Sequence, residues 1–492
     1  MINYESTRGE APPLAFADTL LAGLATDGGL YCPVEIPELP ELDPEMSYAE
    51  IAELVMWPFV EGSIEREAFH TMVVDAYRPF RDDAVTPLVE LGANQYLLDL
   101  SKGPTLAFKD VALQLVGRML EHELGNRGGE AMVFAATSGD TGSAAIEALA
   151  NRNHLAITVL HPLGRVSDVQ RKQMTTVDAP NVMNAAVNGT FDDCQDLVKA
   201  AFNDPELREG LRLAAVNSIN WGRVMAQIVY YVVASLRINN MSAPISFSVP
   251  TGNFGNVLSG WYAKRMGVPI DRLIVASNRN DVLTRYFETG TLSTRDVAPS
   301  LSPSMDIQVS SNFERLLWEA SGRDGAAVAA LLTEFRSSGR TPVPQGWTEL
   351  IRAEFDAARV SDEDTLAEIA RVHNDLGLLL DPHTAIGTRV ARDLAQSGVP
   401  MVTLGTADPA KFPDAVEQAT GVRPPLPAFL SELFDRTEQF VEFDNDLATV
   451  AEAMAAFAAT VAASSPGDSA ASSPGDSADS SLGDSGGNTH TR

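Results

Sequence analysis

Five short apolar runs, AMVFAA (131–136), LAITVL (155–160), ISFSV (245–249), LIVAS (273–277) and MVTLG (401–405), each stop at a polar or glycine-rich loop, often with a helical stretch behind it. Short, largely apolar runs of this length bounded by turn signals are strands of a sheet with covered faces. Strand–loop–helix units in series predict an α/β chain in which helices cover both faces of parallel sheets. In such sheets ligands sit beyond the carboxyl ends of the strands. The loops TSGDTG, HPLGR, PTGNFGN, NRND and TADPAKF are therefore where chemistry is expected.

The pattern starts near residue 86. Residues 1–85 read as an N-terminal subdomain of loops and short helices. In it TDGGLYCP (26–33) is a turn entering a short strand, and SYAEIAELVMWPFV (47–60) is an amphipathic helix. Residues 86–460 carry the repeated units. Residues 461–492 repeat a Pro/Gly-Asp-Ser unit with almost no apolar side chains, so this tail is expected to be disordered. A hydrophobic content of 45% with 21% charged residues is that of a soluble globular protein. The net charge of −30 opposes a phosphate backbone and argues against nucleic-acid binding. No apolar run reaches the ~18 residues of a membrane span, and the N-terminus lacks a basic-then-apolar leader. A cytoplasmic location without membrane attachment is the expectation. Cys32 and Cys194 form no CxxC pair, so neither a metal site nor a disulfide framework is expected.

Among the loops, PTGNFGN (250–256) is the strongest anion candidate. Gly252 and Gly255 permit a tight turn and close backbone approach, and the loop opens a helix whose first N–H groups attract negative charge. A plain tight turn is an even alternative for this loop alone. TSGDTG (137–142) has the same architecture and suits a carboxylate, the alternative being a helix start capped by Asp140. The segment GPTLAFKDVALQLVGRML (103–120) places Lys109 between an apolar loop and a helix, in a chain with six lysines. A lysine at a helix start is usually solvated. Leu106, Ala107 and Phe108 suggest burial instead, which lowers an amine's pKa and makes it a Schiff-base nucleophile. A buried lysine with two anion cradles suggests pyridoxal 5′-phosphate (PLP).

GPTLAFKD, TSGDTG, NSINWGR, SVPTGNFGN and DPHTA stand in this order, and with them the chain resembles the threonine synthase family, in its longer microbial and fungal type, over nearly all of residues 1–440. The resemblance implies a fold type II PLP enzyme, like the tryptophan synthase β chain, with two open parallel-sheet lobes and an extra N-terminal α+β subdomain. It implies that Lys109 forms the internal aldimine. It also implies that Gly252, Asn253, Phe254, Gly255 and Asn256 hold the cofactor phosphate, and that Thr384 of DPHTA faces the pyridine nitrogen. Ser138, Gly139, Asp140, Thr141 and Gly142 match the loop for the substrate carboxylate. Asn217, Ser218, Asn220 and Arg223 of NSINWGR suit the substrate phosphate, Arg223 with a planar fork for two hydrogen bonds. An exposed or salt-bridged helix arginine is the bland alternative for Arg223, and Arg165 is a weaker candidate for the same anion.

The reaction so implied is O-phospho-L-homoserine and water giving L-threonine and phosphate, the last step of threonine biosynthesis, by a monomer or homodimer. A related phospho-lyase, or a threonine or serine dehydratase, is the alternative; the latter needs no second phosphate site. Asp408 departs from the resemblance, since many members are expected to carry His there. Lys411 is expected to be structural or solvent-facing, His383 to hold shape rather than act as a base, and Phe108 and Phe254 to pack. Asn278 and Asp281 receive no firm role.

Overall fold

The computed structural model describes residues 1–92 and 94–464. The tail from 465 on lies outside the described residues. All five apolar runs are strands. The larger sheet has six strands in the order Phe355–Arg359, Ile270–Ser277, Ile245–Pro250, Met401–Gly405, Gln95–Asp99, Leu88–Gly92. Its neighbours are parallel except for the last pair. The smaller sheet has five parallel strands in the order Val441–Asp444, Val182–Asn188, Leu155–Pro162, Ala131–Ala136, Leu213–Ala214. Leu155–Pro162 and Ile245–Pro250 are buried at every position. Leu155–Pro162 shows this as a nearly continuous apolar run, whereas Ile245–Pro250 alternates with serines that are buried as well, Ser248 donating to Gly387 O at 2.8 Å.

Helix Trp221–Asn239 is buried at every residue from Trp221 to Leu236. A helix apolar all round has no solvent face to offer, so it becomes the centre of the core. Asn220 caps its start by accepting from the Gly222 amide at 3.0 Å. Asn240 ends it in the left-handed conformation, φ 53°.

The first 77 residues lie on this central helix. Strands Tyr4–Ser6 and Tyr31–Pro33 pair antiparallel. Ser47 and Glu50 form a capping box at the start of helix Tyr48–Val60, which packs with helix Arg66–Tyr77 and with Trp221–Asn239. The rings of Tyr4 and Phe59 lie 5.8 and 5.7 Å from that of Trp221. One apolar core thus runs without interruption from Tyr4 to Leu404. At the other end, Val441–Asp444 closes the edge of the smaller sheet, and helix Leu447–Ser464 buries Val450 and Met454 against it. That helix corrects the expected boundary at 461, because residues 461–464 continue its turns. Among the described residues no helix is long and apolar enough to cross a membrane.

Helix Lys109–Arg127 carries the lysine and crosses helix Asp140–Leu149 closely. The crossing needs Gly117, since a Cβ there would lie 2.7 Å from the Ala148 carbonyl oxygen. Gly117→Ala is therefore expected to destabilise the fold by about 1–3 kcal/mol, read as a lowered urea midpoint. Gly210→Ala, which meets nothing within 4 Å, is the control expected to leave the midpoint in place.

Candidate active site

Lys109 is the first residue of its helix and 7% exposed. The turn before it is shaped by Asp110, whose carboxylate accepts from the Thr105 amide at 2.8 Å and the Thr105 hydroxyl at 2.7 Å. Gly103 leaves room for that carboxylate, 2.5 Å from where its Cβ would stand. Leu106 takes a left-handed backbone, φ 65°, that aims the next residues into the interior. The turn is stitched to the loop after Met401–Gly405: the Phe108 amide donates to Thr406 O at 2.9 Å, and the Asp408 amide to Leu106 O at 3.0 Å. Asp408 itself caps a short turn by accepting from the Ala410 amide.

Lys109 Nζ donates to Asp140 Oδ2 at 3.1 Å. Asp140 is not the cap of its helix; Gly139 holds that position, and Asp140 lies in the first turn. Its carboxylate is the meeting point of the site. Oδ2 also accepts from Ser304 Oγ at 3.1 Å. Oδ1 accepts from Gln170 Nε2 at 2.7 Å and from Lys411 Nζ at 2.9 Å. Lys411 is fully buried and donates further to Thr105 O at 2.8 Å, which corrects the solvent-facing expectation. Burial by itself would raise the Asp140 carboxyl, but the charges of Lys109 and Lys411 outweigh it and hold the group well below the usual range. For Lys109, burial lowers the amine below its ordinary value, against the pull of Asp140 and with the repulsion of Lys411 and Arg223.

Within TSGDTG, Thr137 Oγ1 accepts from the amides of Gly139 and Gly142, both at 2.9 Å. The hydroxyl fixes the turn, and the amides of the helix's first turn have no helical carbonyl to bond. That leaves the amides of Ser138, Asp140 and Thr141 as donors suited to a carboxylate.

In PTGNFGN the carbonyls are tied away from the helix start. Ser310 Oγ donates to Gly252 O at 2.7 Å, and the amide and side chain of Asn312 donate to Asn253 O at 3.1 and 3.0 Å. Phe254 adopts φ 64° and sets off helix Gly255–Met266, whose first amides lack acceptors. A Cβ at Gly252 would lie 3.0 Å from Ser304 O and 3.2 Å from Met305 Cα. Asn256 Oδ1 accepts from Tyr230 and Tyr231 at 2.6 and 2.9 Å, while its buried Nδ2 has no partner. The Phe254 ring packs 5.1 Å from Phe313 and 5.7 Å from Phe355, as expected.

Asp381 caps helix Pro382–Leu394 and accepts from His383 Nδ1 at 2.8 Å. The Ser304 amide donates to His383 Nε2 at 3.3 Å, which puts the imidazole proton on Nδ1. His383 therefore holds the Ser304 turn in place, in keeping with a shape-holding role. Thr384 Oγ1 accepts from the Thr406 amide at 3.1 Å. A hydroxyl with its acceptor side occupied keeps one proton to donate, which suits an unprotonated ring nitrogen.

Arg223 is 2% exposed, donates to Val216 O at 3.1 Å, and has no carboxylate within salt-bridge distance among the described residues. Its Nε has no partner, and burial pushes the guanidinium down to about 10. It is neither the exposed nor the salt-bridged arginine of the bland reading. Its segment lies against the anion loop, since Asn312 Nδ2 donates both to Ser218 O, at 3.1 Å, and to Asn253 O. Ser218 is half-buried and Asn217 exposed. Asn220 does not join them: its amide caps the helix and donates to Leu20 O at 2.9 Å, so the expected donation to an anion is corrected. Arg165 is exposed. Asn278 and Asp281 belong to buried structural networks, the first with Ser300, Ser302 and Asp306, the second with Arg285 and Arg359.

Two residues of the site went unseen in the sequence, Gln170 and Ser304, and Lys411 was seen but given no place in it. Lys411 carried the same rarity that singles out Lys109. Gln170 and Ser304 carry no local signal. The assembled donors are a buried amine of low proton affinity, a helix-start cradle, a hydroxyl proton at Thr384 and an unpaired amide at Asn256. This set fits PLP, with a second anion site at Arg223.

Comparison with known proteins follows the same line. Residues 3–77 match the family model "Threonine synthase N terminus", 81–334 "Pyridoxal-phosphate dependent enzyme", and 384–454 "Threonine synthase, C-terminal". A threonine synthase of Pseudomonas aeruginosa is 53% identical over 456 residues, covering 91% of this chain and 97% of its own. A PLP-bound threonine synthase structure from Brucella melitensis superposes with TM-score 0.91 at 51% identity, covering 93% of this chain and all of that one. The yeast threonine synthase structure gives TM-score 0.88 at 36% identity, covering 93% and 99%.

One carboxyl beside Lys109 has a measurable signature. Burial pushes Asp110 up to about 6, against the hydrogen bonds from Thr105 and the charge of Lys411. A raised carboxyl means the folded state holds its proton longer than the unfolded state. Its contribution to stability is therefore present below the unfolded value near 4 and lost as pH rises through about 6. Urea unfolding of Asp110→Asn from pH ~4 to ~6 is expected to show the slope flattened by about 1–3 kcal/mol relative to wild type.

Proposed function

The chain belongs to the threonine synthase family, PLP-dependent lyases of fold type II, and on that premise we propose that it converts O-phospho-L-homoserine and water to L-threonine and phosphate through Lys109. The observation that carries the substrate assignment is Arg223, a buried guanidinium with no carboxylate partner among the described residues, set beside a separate anion cradle at 252–256. One cradle serves the cofactor phosphate and the other the substrate phosphate. An enzyme acting on unphosphorylated threonine or serine has no use for the second.

Lys109, Gly252 to Asn256 and Thr384 would hold the cofactor: Lys109 through its amine, the helix start through its amides, and Thr384 through its hydroxyl proton. When bound, PLP supplies an electron sink for negative charge developing on substrate carbon. The amides of Ser138, Asp140 and Thr141 hold the substrate carboxylate, with Ser138 and Thr141 offering hydroxyls; Gly139 and Gly142 give the turn its shape through Thr137. Arg223 and Ser218 orient the phosphate on Cγ, and Asn217 lies at the solvent edge. Lys109 Nζ takes the proton from Cα and returns it, a task that suits an amine lowered by burial. Asp140 holds that amine in place by its 3.1 Å contact. The phosphate leaves from Cγ, and water adds at Cβ to give the threonine hydroxyl. A cytoplasmic location and a monomer or homodimer complete the proposal.

Purified protein given O-phospho-L-homoserine is expected to release L-threonine and phosphate in equal amounts. Release of 2-oxobutyrate and ammonia would overturn the assignment. Lys109→Ala is expected to abolish both turnover and the visible absorbance of the bound cofactor. Arg223→Ala is expected to lower kcat/KM on the order of 100-fold while that absorbance persists.

A further inference from the structure

Two buried ammonium groups share one carboxylate in this site. Lys109 lies on Asp140 Oδ2 and Lys411 on Oδ1, at 3.1 and 2.9 Å. Lys411 is no accident of a flexible side chain: it is wholly buried, is the last residue of the short turn Pro409–Lys411 capped by Asp408, and is anchored by donation to Thr105 O at 2.8 Å. The other charged groups facing the cluster are Asp110 on the lysine helix, Arg223 on the central helix, and His383, whose Nδ1 is committed to Asp381. Nothing in the proposed reaction calls on Lys411 directly.

A reactive lysine beside an aspartate faces a conflict. The carboxylate positions the amine but also stabilises its ammonium form, and only the free amine can attack or accept a proton. A second cation on the far oxygen weakens that stabilisation without removing the contact. We propose that Lys411 is a positioning residue which shares the Asp140 carboxylate with Lys109 and thereby frees the Lys109 amine to react. When Lys109 gives up its charge, Lys411 remains as the counter-ion, so Asp140 is never left alone in the interior. Gln170 and Ser304, on opposite oxygens, hold the carboxylate plane between the two lysines.

The inference rests on Lys109 being the cofactor amine, and it can be tested apart from turnover. Cofactor-free full-length chain is mixed with PLP, and capture is followed as the growth of visible absorbance across a range of pH. Removing the Lys411 charge raises the proton affinity of Lys109. Lys411→Met and Lys411→Gln are therefore expected to capture about tenfold more slowly at neutral pH, and to regain the wild-type rate when pH is raised by about one unit. Lys411→Arg keeps the charge and is expected to stay within about threefold of wild type. Glutamine retains the donor to Thr105 O and Asp140, so it separates charge from hydrogen bonding and carries the test if the methionine variant does not fold. Wild-type rate and pH dependence in Lys411→Gln would overturn the inference. If instead wild type fails to capture PLP, or Lys109→Ala captures it equally well, the assignment of Lys109 falls and not merely the role of Lys411.

Discussion

A single buried carboxylate joins the loops of both sheets. Asp140 follows a strand of the smaller sheet, whereas Lys109, Ser304 and Lys411 come from segments attached to the larger. Ion pairs in an interior gain little over apolar packing, but removing one partner leaves a charge stranded at a cost of about 3–5 kcal/mol. The Asp140 cluster therefore reports on closure. The two sheets have to meet with these loops in register, or several charges lose their partners together. Two ammonium groups against one carboxylate also leave a positive surplus, and Arg223 adds to it without a counter-ion. In a chain of net charge −30 this surplus is confined to the interior.

The second anion site depends on parts of the chain far from any recognisable motif. Arg315 is fully buried and donates to Tyr31 O at 3.1 and 2.9 Å, to Ile219 O at 2.7 Å, and to Asn312 Oδ1. It thus clamps the N-terminal hairpin, the 217–223 segment and the residue that ties Ser218 to Asn253. Asn220 adds a further tie, to Leu20 O. The first 77 residues are for this reason part of the site's frame and not an appendage. They share the core around Trp221 and fix the segment on which Arg223 is mounted.

This division explains what could be read in advance. Strands and their loops follow from residue type and period, so the runs at 131, 155, 245, 273 and 401 announced both sheets and the rim on which ligands gather. Lys109 was legible because lysine is rare here and the turn before it is apolar. Lys411 was equally rare, but its neighbours in TADPAKF gave no hint of burial. The burial comes from the stitching of 406 and 408 to 106 and 108, a long-range pairing. Ser304 sits in a short turn far in sequence from everything it touches. Asn220 misled because a helix cap and an anion donor call for the same residue type. Only the helix behind it decides which applies.

Backbone strain marks both ligand-facing turns. Leu106 and Phe254 take φ of 65° and 64°, a conformation that costs a side-chain-bearing residue about 1–2 kcal/mol. Glycine would relieve the strain at either position, yet both side chains are buried in ways that glycine cannot replace. Leu106 packs with Val169, Leu430 and Leu433, and Phe254 with Phe313 and Phe355. Burying a leucine or phenylalanine side chain is worth about 1.5–3 kcal/mol, enough to offset the strain. The apolar anchor also holds each turn to one conformation, which glycine would release. The residue after the Leu106–Phe108 turn is Lys109, and the one after Phe254 opens helix Gly255–Met266. In both places packing energy fixes the direction in which the next polar group points.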